Sequence, residues 1–237
     1  MNSDSPKRQS AENGKPRTRY YTVFPDFERN PSDFDIVNES DAVNYANRAP
    51  GLLDHLTGRN FGLPEFKLVP CIRLGKNKKQ DFIGIGNSFV STRAKELLES
   101  IDSSSFDFVE CDTTDLKGRR VESYWWLGVT HLVEYFSRER SEFETYCQDP
   151  ELKGKFREGV ISELFDIEFD DSLNGIAAFY LSGYSQSFIW SEQLVDAWRA
   201  NKFTGRRFTP LQPPTAVERK SLNKTQNYLY WKKRLGI

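Results

Sequence analysis

The chain has 237 residues, 33 of them basic and 34 acidic, with 38% hydrophobic and 14% aromatic side chains. That aromatic content excludes wholesale disorder, and 15 glycines with 11 prolines exclude a collagenous or low-complexity chain. A chain of this length buries roughly 70 to 75% of the surface its unfolded form exposes, so no metal or disulfide staple is needed.

No run approaches the roughly 18 apolar residues of a transmembrane helix, and Met1 to Arg19 is polar. A cytoplasmic protein without membrane contact is therefore expected. Cys71, Cys111 and Cys147 fall in no metal-ligand or scaffold spacing and read as reduced structural thiols, so no cofactor is expected. Charge is uneven: residues 1–19 carry +3, residues 217–237 carry +5, and the body between them carries −9. A phosphate-binding protein concentrates Lys and Arg on its folded face, so nucleic acid is an unlikely partner for this acidic body.

Residues 1–18 predict a disordered basic tail, residues 19–216 one α+β domain, and residues 217–237 a basic C-terminal helix or tail. Tyr20 to Phe24 has the β-branched and aromatic content of a strand stopped by Pro25, and Phe34 to Val37 reads as a second short strand. Residues 41–60 are ambiguous: Asp41 can cap a short helix that Pro50-Gly51 ends, and Leu52, Leu53 and Leu56 precede an irregular loop.

An internal echo follows. Ser88 to Ser91 leads into Thr92 to Ile101, with Ala94, Leu97, Leu98 and Ile101 at helical spacing. Phe188 to Ser191 leads into Glu192 to Asn201, with Leu194, Val195, Ala197 and Trp198 at the same spacing. Each unit reads as an apolar strand end, a serine cap and an amphipathic helix, and the cap is worth roughly 1 kcal/mol. A strand leaves each helix, at Phe106 to Val109 and at Phe208. Shared capping chemistry accounts for much of the likeness, with an ancestral duplication as the other reading.

Further strands are expected at Tyr124 to Val129, Ile167 to Asp170 and Ala177 to Leu181. Residues 132–158 read as partly helical and broken at Asp149-Pro150, and a final helix is expected from Arg219 with Leu222, Gln226, Leu229 and Leu235 on one side. Runs of strands with a few separated helices predict an α+β fold, a mostly antiparallel or mixed sheet with a few packed helices.

Catalytic chemistry is hard to find. His55 and His131 are the only histidines, too few for a multi-histidine metal site. Gly84-Ile85-Gly86 begins like a dinucleotide fingerprint but has Phe89 where the third glycine belongs, and Gly183 to Ser187 fails as a nucleophile elbow at its last position. An enzyme reading would rest on His131, Glu134 and Asp112, and a nucleic-acid reading on the basic ends, chiefly Arg219 to Arg234.

The strongest surface signal is acidic. Glu142, Glu144, Asp149, Glu151, Glu158, Glu163, Asp166, Glu168, Asp170 and Asp171 face only Lys153, Lys155 and Arg157, a net −7 in thirty residues. Such a field is either a solvated face or a steering surface for a basic protein. Trp125 and Trp126 are adjacent on a strand and must point to opposite faces, so Trp126 is a candidate anchor beside that field unless both pack in the core.

Taken together, Ser88 to Glu99, Phe106 to Glu110, Tyr124-Trp125-Trp126, Ile189 to Glu192 and Phe203 to Phe208 resemble family eleven of the bacterial polymorphic-toxin immunity proteins. Arg206-Arg207 departs from that pattern, in which an apolar residue commonly follows the glycine. The resemblance implies a protein without catalytic residues that binds a cognate toxin domain and blocks it. The candidate partner-binding residues are then Glu142, Glu144, Glu163, Asp166, Glu168, Asp170, Asp171 and Trp126.

Overall fold

The computed structural model describes residues 18–26, 34–44, 63–76, 80–84, 87–133, 136–145, 161–169, 173, 175–184, 187–215, 218 and 226–235. The first part of the chain forms β1 (Tyr20–Pro25), β2 (Phe34–Ile36), α1 (Glu39–Ala42), β3 (Val43–Asn44), β4 (Glu65–Phe66), β5 (Cys71–Leu74), β6 (Phe82–Ile83), β7 (Ser88–Ser91), α2 (Thr92–Asp102), β8 (Phe106–Thr114) and β9 (Tyr124–Val129). The second part forms β10 (Leu132–Val133), β11 (Glu142–Thr145), β12 (Ile161–Asp166), β13 (Ala178–Leu181), β14 (Ile189–Ser191), α3 (Glu192–Ala200), β15 (Arg206–Pro210) and α4 (Gln226–Leu235). One sheet runs β10-β13-β14-β1-β15 and the other β2-β5-β8-β9-β7-β6, with β11-β12 and β3-β4 as separate pairs. All pairings are antiparallel except β5 with β8 and β10 with β13. The fold is α+β and mostly β.

The sequence echo is a repeated structural plan. In one half β7, α2 and β8 form a crossover, and β9 lies between the two strands, antiparallel to both. In the other half β14, α3 and β15 form the crossover, and the inserted antiparallel strand is β1. The third strand thus follows its crossover in the first half and comes from the beginning of the chain in the second. Tyr124 opposite Ser91 and Tyr20 opposite Ser191 hold equivalent places. Both are buried, and each hydroxyl donates to a backbone carbonyl, that of Gln80 at 2.5 Å and that of Leu173 at 3.2 Å.

Period-2 alternation sorts each sheet's side chains onto two faces. Tyr21, Val23 and Trp190 of one sheet and Val90, Leu127 and Val129 of the other join Ala94 and Leu98 of α2 and Leu194, Val195 and Trp198 of α3 in one shared core. Phe82 sits at its centre, with ring centroids 6.0 to 6.2 Å from Phe188, Trp190 and Trp198. The opposite faces are covered too: Tyr20, Phe179 and Ile189 pack against Ile161 and Leu164 of β12, and Phe89, Cys111 and Trp126 pack with Ile72 and Val43. Burial pushes the Cys111 thiol up to about 12.

One carboxylate stitches each seam between the halves. The buried Asp81, just before β6, accepts from the Thr204 backbone N–H (3.0 Å) and hydroxyl (3.1 Å), and from Arg93 Nε (2.6 Å) and Nη2 (2.7 Å). At the other seam Asp102 accepts from the Ala177 N–H at 3.0 Å and from the hydroxyls of Ser104 and Ser105. Gly205 allows the close approach at the Thr204 seam: its φ is 98°, and a Cβ there would overlap the Phe82 carbonyl.

Several expectations change. Ser91 Oγ accepts from the Ala94 N–H, but Ser191 makes no side-chain cap. Asp41 lies inside α1, which begins after Asn38 and passes directly into β3. The span expected to be partly helical from 132 holds strands β10 and β11 in its described residues, because its aromatic and β-branched residues pair. β12 ends at Asp166, before the expected Ile167–Asp170 strand, and Ile167 turns its buried N–H to the Leu211 carbonyl. In the C-terminal helix the buried anchor is Trp231, whereas Leu229 is 60% exposed. Residues 1–17, the Pro50-Gly51 stop and Cys147 lie outside the described residues.

Candidate protein-binding site

The acidic segment forms the β11–β12 pair, where Glu142 lies opposite Asp166 and Glu144 opposite Glu163. The first pair is clamped by the C-terminal helix. Tyr230 Oη and Arg234 Nη1 donate to the Glu142 carboxylate, Arg234 Nη2 lies 3.6 Å from Asp166 Oδ2, and the Tyr230 ring stacks on Phe165 at 4.6 Å. The positive end of the chain therefore covers part of its negative body. Among the described residues the second pair has no cation: Glu144 is exposed, Glu163 is half-buried, and neither makes an ion pair there. Burial, with the Glu144 charge added, pushes the Glu163 carboxyl above its ordinary value. Glu168 stands apart, 3.0 Å from Arg140 Nη1, and its N–H donates to Ser141 Oγ. Asp170 and Asp171 lie outside the described residues.

Trp126 is not at the surface. It is 1% exposed, with its ring 4.7 Å from Phe89 and 5.2 Å from Phe66, so it offers nothing to a partner. Its neighbour Trp125 faces the shared core, with Lys95 Nζ 4.6 Å from the ring and its own Nε1 donating to Thr92 Oγ1. Both tryptophans pack because both faces of this sheet are covered.

The enzyme constellation does not assemble. His131 follows β9 beyond Val129, which pairs with Phe106, and Asp112 lies six residues along the same strand as Phe106. At about 3.3 Å per residue that is roughly 20 Å. Asp112 is paired with Arg120, and Glu134 lies outside the described residues. No helix among the described residues is long and apolar enough to cross a membrane.

Two surface features escaped the sequence reading. Val37, Leu68 and Val69 are each more than half exposed yet adjacent, because Asn38 ties their segments together: its Nδ2 donates to the Val69 carbonyl and its Oδ1 accepts from the Cys71 N–H. Nothing in their spacing signals that adjacency. The other feature is a polar cleft at the Asp81 seam, lined by side chains from positions 80 to 204.

The core, both halves and the acidic pair fall within a single family match. A family model described as Immunity protein family (Imm11) matches residues 19–212. The chain belongs to the Imm11 immunity family. No curated protein matches it. The Imm11 span runs from the residue before β1 to just beyond β15, so it encloses both halves and the acidic strand pair, and the clamping helix α4 lies outside it.

Proposed function

We propose that the chain is a cytoplasmic immunity protein that binds a cognate bacterial toxin and neutralises it by occlusion rather than by catalysis. Membership of the immunity family carries this reading. Protection by a stoichiometric inhibitor needs nanomolar or tighter binding, about −12 kcal/mol, and an interface of roughly 1,600 Å² with a packed centre.

Within the acidic strand pair, Glu144 and Glu163 are the contact residues we propose, since Glu142 and Asp166 already face Arg234. Two like charges directly opposite across a strand pair repel, and a basic side chain from the toxin relieves that repulsion. The exposed Val37, Leu68 and Val69 supply apolar surface of the kind an interface centre needs.

Co-expression tests the role. The chain should restore growth to cells making the toxin domain encoded beside it, and it should purify with that domain one to one; failure of rescue with every adjacent gene product would overturn the proposal. Reversing charge at Glu144 and Glu163 tests the surface separately. Association should slow and lose salt dependence, and unchanged kinetics would remove the acidic pair while leaving the immunity role standing.

A further inference from the structure

A cleft of about 260 Å³ opens at the seam where Asp81 meets Thr204, with Arg93, Glu122, Tyr124 and Lys202 around it. Its floor is fully engaged. Both Asp81 oxygens accept hydrogen bonds, and the Tyr124 hydroxyl donates to the Gln80 carbonyl. Its rim is different. Lys202 and Glu122 are exposed and make no ion pair among the described residues, and the Arg93 side chain remains 56% exposed beyond its contact with Asp81. Asp81 offsets most of the Arg93 charge and the field of Glu122 acts on it as well, so the rim presents one charge of each sign, Lys202 and Glu122, without a close ion-pair partner among the described residues.

Lys202 is placed there against the preference of its backbone. α3 ends in a Schellman turn: the Lys202 N–H donates to the Arg199 carbonyl, the Phe203 N–H donates to the Trp198 carbonyl, and the Phe203 and Trp198 rings meet at 4.9 Å. The residue after the cap in such a turn adopts a left-handed conformation and is usually glycine. Lys202 holds it with φ 54°, the one non-glycine residue with positive φ among the described residues. A lysine in that position carries a backbone cost that glycine would not, and its side chain reaches the cleft.

The second half provides an internal comparison. Where Ser91 corresponds to Ser191, Arg93 corresponds to Gln193, and the residue whose carbonyl accepts from the serine N–H is Asp81 in one half and Ala177 in the other. α2 ends without a left-handed residue, passing through right-handed Ser103 (φ −65°, ψ −21°) into a short 3-10 turn, and that seam closes on Asp102 and on Ser105 Oγ, which accepts from the Ala178 N–H at 3.3 Å. Closing a seam therefore requires one carboxylate. Arg93, Glu122 and Lys202 exceed that requirement, on one side of the molecule.

We propose that this cleft is a socket for the toxin, receiving an acidic side chain between Lys202 and the outer edge of Arg93 while Glu122 takes a basic neighbour of that side chain. The socket rests on the toxin-binding role proposed above and adds a contact region separate from the acidic strand pair.

The test uses the full-length chain and the toxin domain encoded beside it, with affinity measured by calorimetry and Tm measured on the free chain. Lys202→Gly should leave Tm unchanged or raise it, because glycine suits the left-handed position, yet weaken the complex about tenfold or more. Glu122→Gln should weaken it about threefold or more at unchanged Tm, and Gln193→Ala, the counterpart of Arg93, should alter neither quantity. Wild-type affinity in both Lys202→Gly and Glu122→Gln overturns the socket while toxin binding stands. A fall in Tm matching the loss of affinity in Lys202→Gly overturns it as well, by making Lys202 structural. Absence of a complex with any adjacent toxin domain removes both the socket and the role beneath it.

Discussion

Ser91 and Ser191 occupy the same place in the two halves and do opposite things with their hydroxyls. Ser91 Oγ donates to Asp81 at 3.0 Å and accepts from the Ala94 N–H at 3.4 Å, whereas Ser191 Oγ is buried without a partner among the described residues. The difference lies in what precedes the paired strand: Asp81 provides an acceptor in one half and Ala177 provides none in the other. Ser91→Ala should therefore cost about 1 to 2 kcal/mol. Ser191→Ala should be neutral or slightly stabilising, and urea denaturation of the two variants separates the cases.

Asp102 gives a pH signature. Hydrogen bonds from Ser104, Ser105 and Ala177 outweigh the cost of burial and hold its carboxyl down at about 2, below the ordinary 3.8. A depressed carboxyl stabilises the fold above its unfolded pKa and loses that contribution as the pH falls through the folded value. Allowing for solvent screening, Asp102→Asn should cost about 1 to 2 kcal/mol at pH 7. The gap from wild type should shrink below pH 3.8 and close near pH 2, as followed by denaturation at a series of pH values.

Arg206 is the converse case. Its guanidinium lies 3.6 Å from the Phe82 ring centroid and donates to the Gly84 carbonyl at 3.1 Å, but Nε has no partner among the described residues and burial pulls its pKa down. A buried cation without a carboxylate costs more in desolvation than it regains. Arg206→Met should be neutral or up to about 3 kcal/mol more stable. Urea denaturation of the variant beside wild type at neutral pH checks this.

Gly205 and Gly118 both have positive φ, 98° and 73°, in different surroundings. An added Cβ at Gly205 meets the Phe82 carbonyl, and one at Gly118 meets open space. Gly205→Ala should cost about 3 kcal/mol or more, and Gly118→Ala about 1 kcal/mol, compared by thermal melting.

Local elements were legible where a few consecutive residues decide them. The Ser91 cap with Ala94 and Leu98 at helical spacing, and the period-2 pattern of Tyr124 to Val129, specify an element whatever surrounds it. The acidic strand pair misled on both counts that depend on distant chain. Phe165 and Ile167 look like one continuous strand face, but the strand ends at Asp166 where Ile167 bonds to Leu211. Trp126 looked available because nothing near it in sequence shows that Ile72, Phe66 and Val43 lie over that face. Of the proposed contact residues, Glu144 and Glu163 could be named from composition, but that Arg234 neutralises Glu142 and not Glu144 depends on where α4 docks.

By itself the sequence determined an α+β chain with serine-started helices, a repeated strand–helix unit, an acidic body and a likeness to immunity proteins, because propensity, periodicity and net charge are sums over neighbours. The tertiary structure alone decided that β1 completes the second half, that Asp81 and Asp102 stitch the seams, and that Lys202 and Glu122 share a cleft. Those relationships join residues dozens to nearly two hundred positions apart, and only the folded backbone brings such groups together.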